Sequence, residues 1–283
     1  MSFRLLTTLV FSTGLFAQTQ VVVEEIMFMD APYVGEVTTT TTKYASKGKF
    51  RQESAVEVDR FLVRMAMGGN KIIGSIMDGE SASRIVYNAK DEEFAMETFD
   101  TIRENDGKPK LRTMSGFNMR RGSNDESNSN DSNDEEDNGE SDDQNNDNEY
   151  SRTISESVEK ISGFETQKVV TSIKSEEGMV LIQEWFTVDT VLFKYVSDIE
   201  SELIKSYGGT GRGNPRSFSE SMLKQADQEF KSVPGRMVKY TMEMKDDDDG
   251  FKMRWQLKSI NEIPFKLSDF EVYKKFEKVE ELD

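Results

Sequence analysis

The chain contains neither cysteine nor histidine in its 283 residues. Without cysteine there is no disulfide, no thiolate nucleophile and no Cys-ligated zinc or iron–sulfur centre. Without histidine there is no imidazole base or His-ligated metal, which removes zinc hydrolases, haem proteins with histidine axial ligands, and Ser-His-Asp and Cys-His hydrolases. No cofactor is therefore expected. Past the N-terminus no run approaches the roughly 20 apolar residues that a membrane-spanning helix needs. Bases are scarce relative to acids: 36 Lys plus Arg face 53 Asp plus Glu, a net charge of −17. A chain of this charge repels phosphate backbones, so nucleic acid is not an expected partner.

What is present divides the chain. Residues 1–17 carry one base, Arg4, then an apolar stretch from Leu5 to Phe16 and Ala17 before Gln18, with no acid. This pattern predicts a cleaved signal peptide and export to the periplasm or beyond. Residues 122–149 are built only from Gly, Ser, Asn, Asp, Glu and Gln, with twelve acids and no base. Nothing there can be buried to offset the entropy of ordering, so a disordered, self-repelling acidic insertion is expected. The remaining 238 residues, with a net charge near −6, are enough for one sizeable domain, read as 18–283 with the insertion inside it.

Period-two alternation dominates that domain. In residues 251–258 every odd position is apolar and every even one polar, which marks a half-buried strand, and residues 237–244 alternate just before it, giving an antiparallel hairpin. Residues 164–174 with 179–188, and 34–44 with 50–58, form two more predicted hairpins. Shorter strands are expected at 72–77, 83–88 and 93–99. Two segments repeat at helical spacing instead: 197–207 through Ile199, Leu203, Ile204 and Tyr207, and 217–231 through Phe218, Met222, Ala226 and Phe230. An antiparallel sheet with one apolar face must cover it. The expected fold is α+β: a large curved sheet of nine to eleven strands wrapped around one or two helices.

Motifs that carry chemistry are few. Residues 208–215 are glycine-rich but lack the Gly-Lys-Ser/Thr end of a P-loop and read as a flexible helix-to-helix connection. Asp134, Glu136, Asn138 and Gly139 match early positions of a calcium loop, but the twelfth position is Asn145 and no helices flank it, so a solvated spacer with loose calcium affinity is the reading. Ser221 and Lys224 have the spacing of a Ser-x-x-Lys dyad inside an amphipathic helix, where coincidence explains them. The apolar interior draws on Trp185, Met222, Phe230, Tyr240, Met242, Met253 and Trp255, types that suit a greasy ligand. The fifteen methionines favour a pocket that accepts irregular chains, while each residue alone is equally at home in an ordinary core.

Several short runs carry a resemblance: residues 47–51 (Lys-Gly-Lys-Phe-Arg), 161–168, Glu184-Trp185-Phe186-Thr187, Pro234-Gly235 and 268–273. In these the chain resembles exported bacterial proteins of unknown function grouped with the lipoprotein-carrier (LolA/LolB-like) superfamily, over most of residues 34–273. The resemblance implies an incomplete, strongly curved β-barrel with helical lids, whose apolar interior in carrier members holds acyl chains, and it brings no catalytic residue. The expectation is an exported, soluble, monomeric, non-enzymatic binding protein whose seven named residues line a hydrophobic cavity for lipid or lipidated cargo. An interaction or envelope-structural module with a packed core, docking an envelope protein, is the alternative reading, and a carboxylate or Ser-Lys hydrolase a third.

Overall fold

A computed structural model describes residues 18–66, 69–111, 148–176, 178–211, 217–245 and 250–282. The predicted signal peptide, the bulk of the acidic insertion and its calcium-like motif lie outside the described residues, as do residues 212–216 of the glycine-rich connection. Glu149, placed in the insertion by composition, instead opens a strand.

The described chain forms an open twelve-stranded sheet. In chain order its elements are β1 (Thr19–Ala31), β2 (Gly35–Ser46), β3 (Lys49–Val58), α1 (Phe61–Ala66), β4 (Lys71–Asp78), β5 (Ser83–Asn88), β6 (Glu93–Thr98) and α2 (Phe99–Glu104). After these come β7 (Glu149–Ile161), β8 (Phe164–Ser175), β9 (Gly178–Thr187), α3 (Val191–Ser206), α4 (Phe218–Gln225), β10 (Arg236–Lys245), β11 (Phe251–Pro264), a 3-10 turn (Leu267–Phe270) and β12 (Glu277–Lys278). The spatial order is β12-β6-β5-β4-β3-β2-β1-β11-β10-β9-β8-β7, antiparallel throughout except for β12 against β6. Two meanders, β1 to β6 and β7 to β11, therefore join through the β1–β11 pair, so that the earliest and latest long strands meet at the centre. Twelve strands stand against the nine to eleven expected, and β1, β7 and the two-residue β12 have no counterpart among the predicted segments.

Cross-strand partners share a face. Val21, Ala45, Phe50 and Met77 are successive partners on β1 to β4, and with Val23, Leu257 and Ile260 they form one core with Phe193, Val196, Ile199, Leu203 and Ile204 of α3. Those helix positions recur every three or four residues, which is why residues 191–206 close into one amphipathic helix. It begins six residues earlier than the spacing from Ile199 predicts, because Phe193 and Val196 extend the same stripe. Each such side chain, fully buried, contributes about 1.5–3 kcal/mol. Predicted helix 217–231 is corrected at its far end: α4 stops at Gln225, Asp227 adopts φ 51°, and Phe230 lies beyond the helix.

The opposite face of β2 to β5 is strapped by the C-terminal segment. Arg51, one residue along from Phe50 and 5 % exposed, donates to Tyr87 Oη (2.9 Å), Glu53 Oε2 (2.7 Å), Tyr273 Oη (3.2 Å) and the Asp269 carbonyl (3.2 Å). Its guanidinium also sits 5.3–5.7 Å from the rings of Tyr44, Tyr87 and Tyr273. Phe276 packs on Ile76 and Tyr87. Gly74 makes this possible: a Cβ there would lie 2.0 Å from Tyr87 Cζ. At the other end of the sheet the β7–β8 hairpin coils back. Ser162 in its turn donates to the Leu257 carbonyl and accepts from Gln256 Nε2 at 3.4 Å, although β8 and β11 stand three strand spacings apart, about 14 Å in a flat sheet.

Candidate functional site

The sheet face beyond the α3 core is rich in methionine and aromatic side chains. Register places Ile182, Met242 and Met253 in one row across β9, β10 and β11, and Glu184, Tyr240 and Trp255 in the next, while Met29 and Met27 of β1 continue the two rows. Helix α4 lies against them through Phe218 and Met222. Phe218 stacks on Tyr240 (centroids 6.5 Å apart, 8° between planes), and Tyr240 on Trp255 (6.1 Å, 18°), forming a ladder of three rings. The rings and thioethers are half-buried rather than sealed, except Met29, Met242 and Met253, which are buried.

Five of the seven residues named from sequence, Met222, Tyr240, Met242, Met253 and Trp255, thus come together. Two do not. Trp185 follows Glu184 on β9 and takes the other side of the strand, opposite Lys239 and Lys168, whose ammonium groups lie 4.3 and 5.0 Å from its ring. Its indole N–H donates to Glu159 Oε2 at 2.9 Å, and its ring joins the α3 core beside the β7–β8 turn. Alternation puts Trp185 and Tyr240 on opposite sides, since Tyr240 faces Glu184. Phe230, outside α4, stacks instead under Arg152 (5.5 Å) and Lys224 (5.9 Å). Ser221 donates to the Ser217 carbonyl of its own helix at 3.3 Å.

One residue that alternation passes over anchors this surface. Glu184 is 0 % exposed. Its Oε1 accepts from the backbone N–H of Phe218 (2.7 Å) and Ser219 (3.4 Å), and its Oε2 from the hydroxyls of Ser217 (2.8 Å) and Ser219. The carboxylate therefore satisfies the orphan donors of the first turn of α4, where the helix dipole favours negative charge. Ser217 also caps the helix, accepting from Glu220 N at 3.0 Å. Arg152 on β7 completes the cluster. Its Nη1 donates to Ser219 Oγ (2.6 Å) and Thr171 Oγ1 (3.1 Å), and its Nη2 to Glu220 Oε1 (3.1 Å). Burial, and then the nearby Glu184 charge, push the Tyr240 phenol up to about 12. The sequence does carry a signal for this arrangement. Ser217 and Glu220 have capping-box spacing, and Glu184 is the acid on the buried parity of β9, between Ile182 and Phe186.

The chemistry open to this surface is burial of an apolar body. Its carboxylate is spent on a helix terminus, the Tyr240 phenol is held protonated, and among the described residues no group of three or more acids is placed to hold a metal ion. No described helix is long and apolar enough to cross a membrane.

No family model and no curated protein matches the chain. Among solved structures it is similar to a LolA superfamily protein from Nitrosomonas europaea, at 11% sequence identity over 90% of this chain and 91% of that chain, with a TM-score of 0.23.

Proposed function

We propose that this is an exported, non-enzymatic binding protein, one domain over residues 18–283, that holds a lipid or lipidated cargo against the methionine-rich face under α4. The observation that carries this reading is the half-buried ladder Phe218–Tyr240–Trp255 set among Met27, Met222, Met242 and Met253. Flat rings and unbranched thioethers adapt to flexible chains, and they are covered by a helix of only eight residues tied to the sheet mainly at its first turn. The coiled, open sheet fits a half-barrel that admits cargo from one side, and export follows from the N-terminal pattern.

Native mass spectrometry of the mature chain before and after mild organic extraction tests the reading. A bound mass that disappears on extraction and returns with phosphatidylcholine vesicles is expected. A W185F variant leaves Trp255 as the single tryptophan, and brominated phosphatidylcholine should then quench its emission. A clean apo mass together with unquenched Trp255 would overturn the carrier reading in favour of a packed interaction module.

A further inference from the structure

Helix α1 bridges β3 and β4 at the end of the sheet that also holds the β1–β2 and β5–β6 turns, since Val37 pairs with Val58 and Ile73 with Asn88. It meets the fold through Val63, which packs on the buried cluster of Met29, Val37 and Val58. Its other large apolar side chains stand in water: Phe61 is 61% exposed, Leu62 77% and Met65 63%. At about 100° per residue these three share one arc of roughly 100°, with Val63 opposite and Arg64 on the flank. The neighbouring β1–β2 turn adds Tyr33, 82% exposed. Arg60 links turn and helix, its side chain lying so close over Gly35 that a Cβ there would meet it at 2.8 Å.

Cations collect here although the chain as a whole is acidic. From Arg60 to Met77 the sequence holds three bases and no acid. An open hollow of about 520 Å³ beside the helix is lined by Arg64, Met65, Gly69, Asn70 and Lys90, two cations and no anion. Lys90 reaches over from the β5–β6 turn, and a Cβ on Gly69, at φ 88°, would lie 3.1 Å from its Nζ. Met67 and Gly68, next in the sequence, carry no charge. Glu36, Asp59 and Asp91 are exposed at the margin, so the positive excess is modest and acts together with the apolar face. More distant acids are screened, the Debye length being about 8 Å at physiological salt.

Three large apolar side chains held in water by a six-residue helix call for a cover, since exposed patches of this kind mark interaction sites. Their setting suits a bilayer: apolar tips, a tyrosine at the level of the head groups and cations alongside. We infer that α1 and the β1–β2 turn dock on an anionic phospholipid surface, with Phe61, Leu62 and Met65 entering the acyl boundary and Arg64 and Lys90 taking lipid phosphate in the hollow between them. One short apolar face with few cations gives a weak, reversible contact rather than an anchor. The contact stands whether or not the face under α4 carries cargo.

Flotation of the mature chain with vesicles of phosphatidylcholine, alone or with about 30 mol% phosphatidylglycerol, tests it. At about 0.15 M salt the anionic vesicles should bind at least about tenfold more tightly, the worth of two cations at such a surface, and about 0.5 M salt should shrink the difference. F61S/L62S/M65S removes the apolar face and R64E/K90E reverses the hollow, and each should abolish flotation. V188S/V191S, an equally exposed apolar pair at the start of α3, should leave it unchanged. Because the chain has no cysteine, L62C takes a single environment-sensitive label, whose emission should shift to the blue on anionic vesicles even if a multiple variant folds poorly. No flotation, equal flotation on both vesicle types, an unshifted label, or a preference that survives F61S/L62S/M65S would each overturn the inference. So would a dimer in sedimentation that L62S disperses, since the face would then belong to a second copy.

Discussion

Replacing Glu184 by glutamine is the sharpest perturbation of the surface under α4. The carboxylate accepts four hydrogen bonds while fully buried. In E184Q the amide oxygen keeps the Phe218 and Ser219 backbone donors, but the bonds lose their charge assistance, worth about 1 kcal/mol apiece. The amide NH2 then meets the hydroxyls of Ser217 and Ser219, which already accept from Glu220 N and Arg152 Nη1. Both hydroxyls must turn away their own protons to accept again. With the lost interaction between the carboxylate and the helix dipole, about 0.3–1 kcal/mol, the total is on the order of 3 kcal/mol. Urea unfolding reads this as a stability loss if α4 opens only with the whole domain. Amide exchange reads it as a roughly hundredfold loss of protection at Phe218, Ser219 and Met222 if α4 opens alone. The reasoning fails if E184Q changes neither quantity by more than about 0.5 kcal/mol, the ordinary scatter of a surface substitution.

Two further outcomes follow from the same geometry. Tyr240 holds its proton up to about pH 12 in the folded protein, whereas an unfolded tyrosine releases it near 10. Its contribution is therefore complete below pH 10 and is lost as pH rises from 10 to 12, about 2–3 kcal/mol in all. Tyr44, Tyr87 and Tyr195, each pushed up chiefly by burial, act in the same direction. Spectrophotometric titration of the phenolate band should find Tyr240 ionising earlier in E184Q than in the parent, and an unchanged midpoint would contradict the role of Glu184. G74A forces a methyl into the Tyr87 ring under the C-terminal strap. Overpacking of this kind costs about 1–3 kcal/mol, so its urea midpoint should fall, and an unaltered midpoint would mean that the strap is not packed as described.

The strands were legible in the sequence wherever one face is wet. Residues 251–258 alternate because Lys252, Arg254 and Lys258 stay in water while Met253 and Leu257 go inside, and a period of two is enough to announce that. Strand β7 was missed because it is an edge: paired only with β8 and largely exposed, it has no apolar parity to betray it. Helix α4 was overrun at its C-terminal end because Ala226 and Phe230 continue the apolar spacing, and nothing local records that Phe230 will be taken by Arg152 from β7.

The candidate site was legible by residue type and not by side. Composition and alternation alone determined that Met222, Tyr240, Met242, Met253 and Trp255 would be drawn inward, because burying apolar surface is a property each side chain carries with it. The charge balance and the absence of thiol and imidazole chemistry were likewise fixed by the amino acids themselves. Tertiary structure decided what depends on partners distant in the chain. It sent Trp185 to the other side of β9, and it made Glu184 the anchor of a helix more than thirty residues away. A buried charge is defined by the groups around it, and those groups meet only when the sheet is assembled.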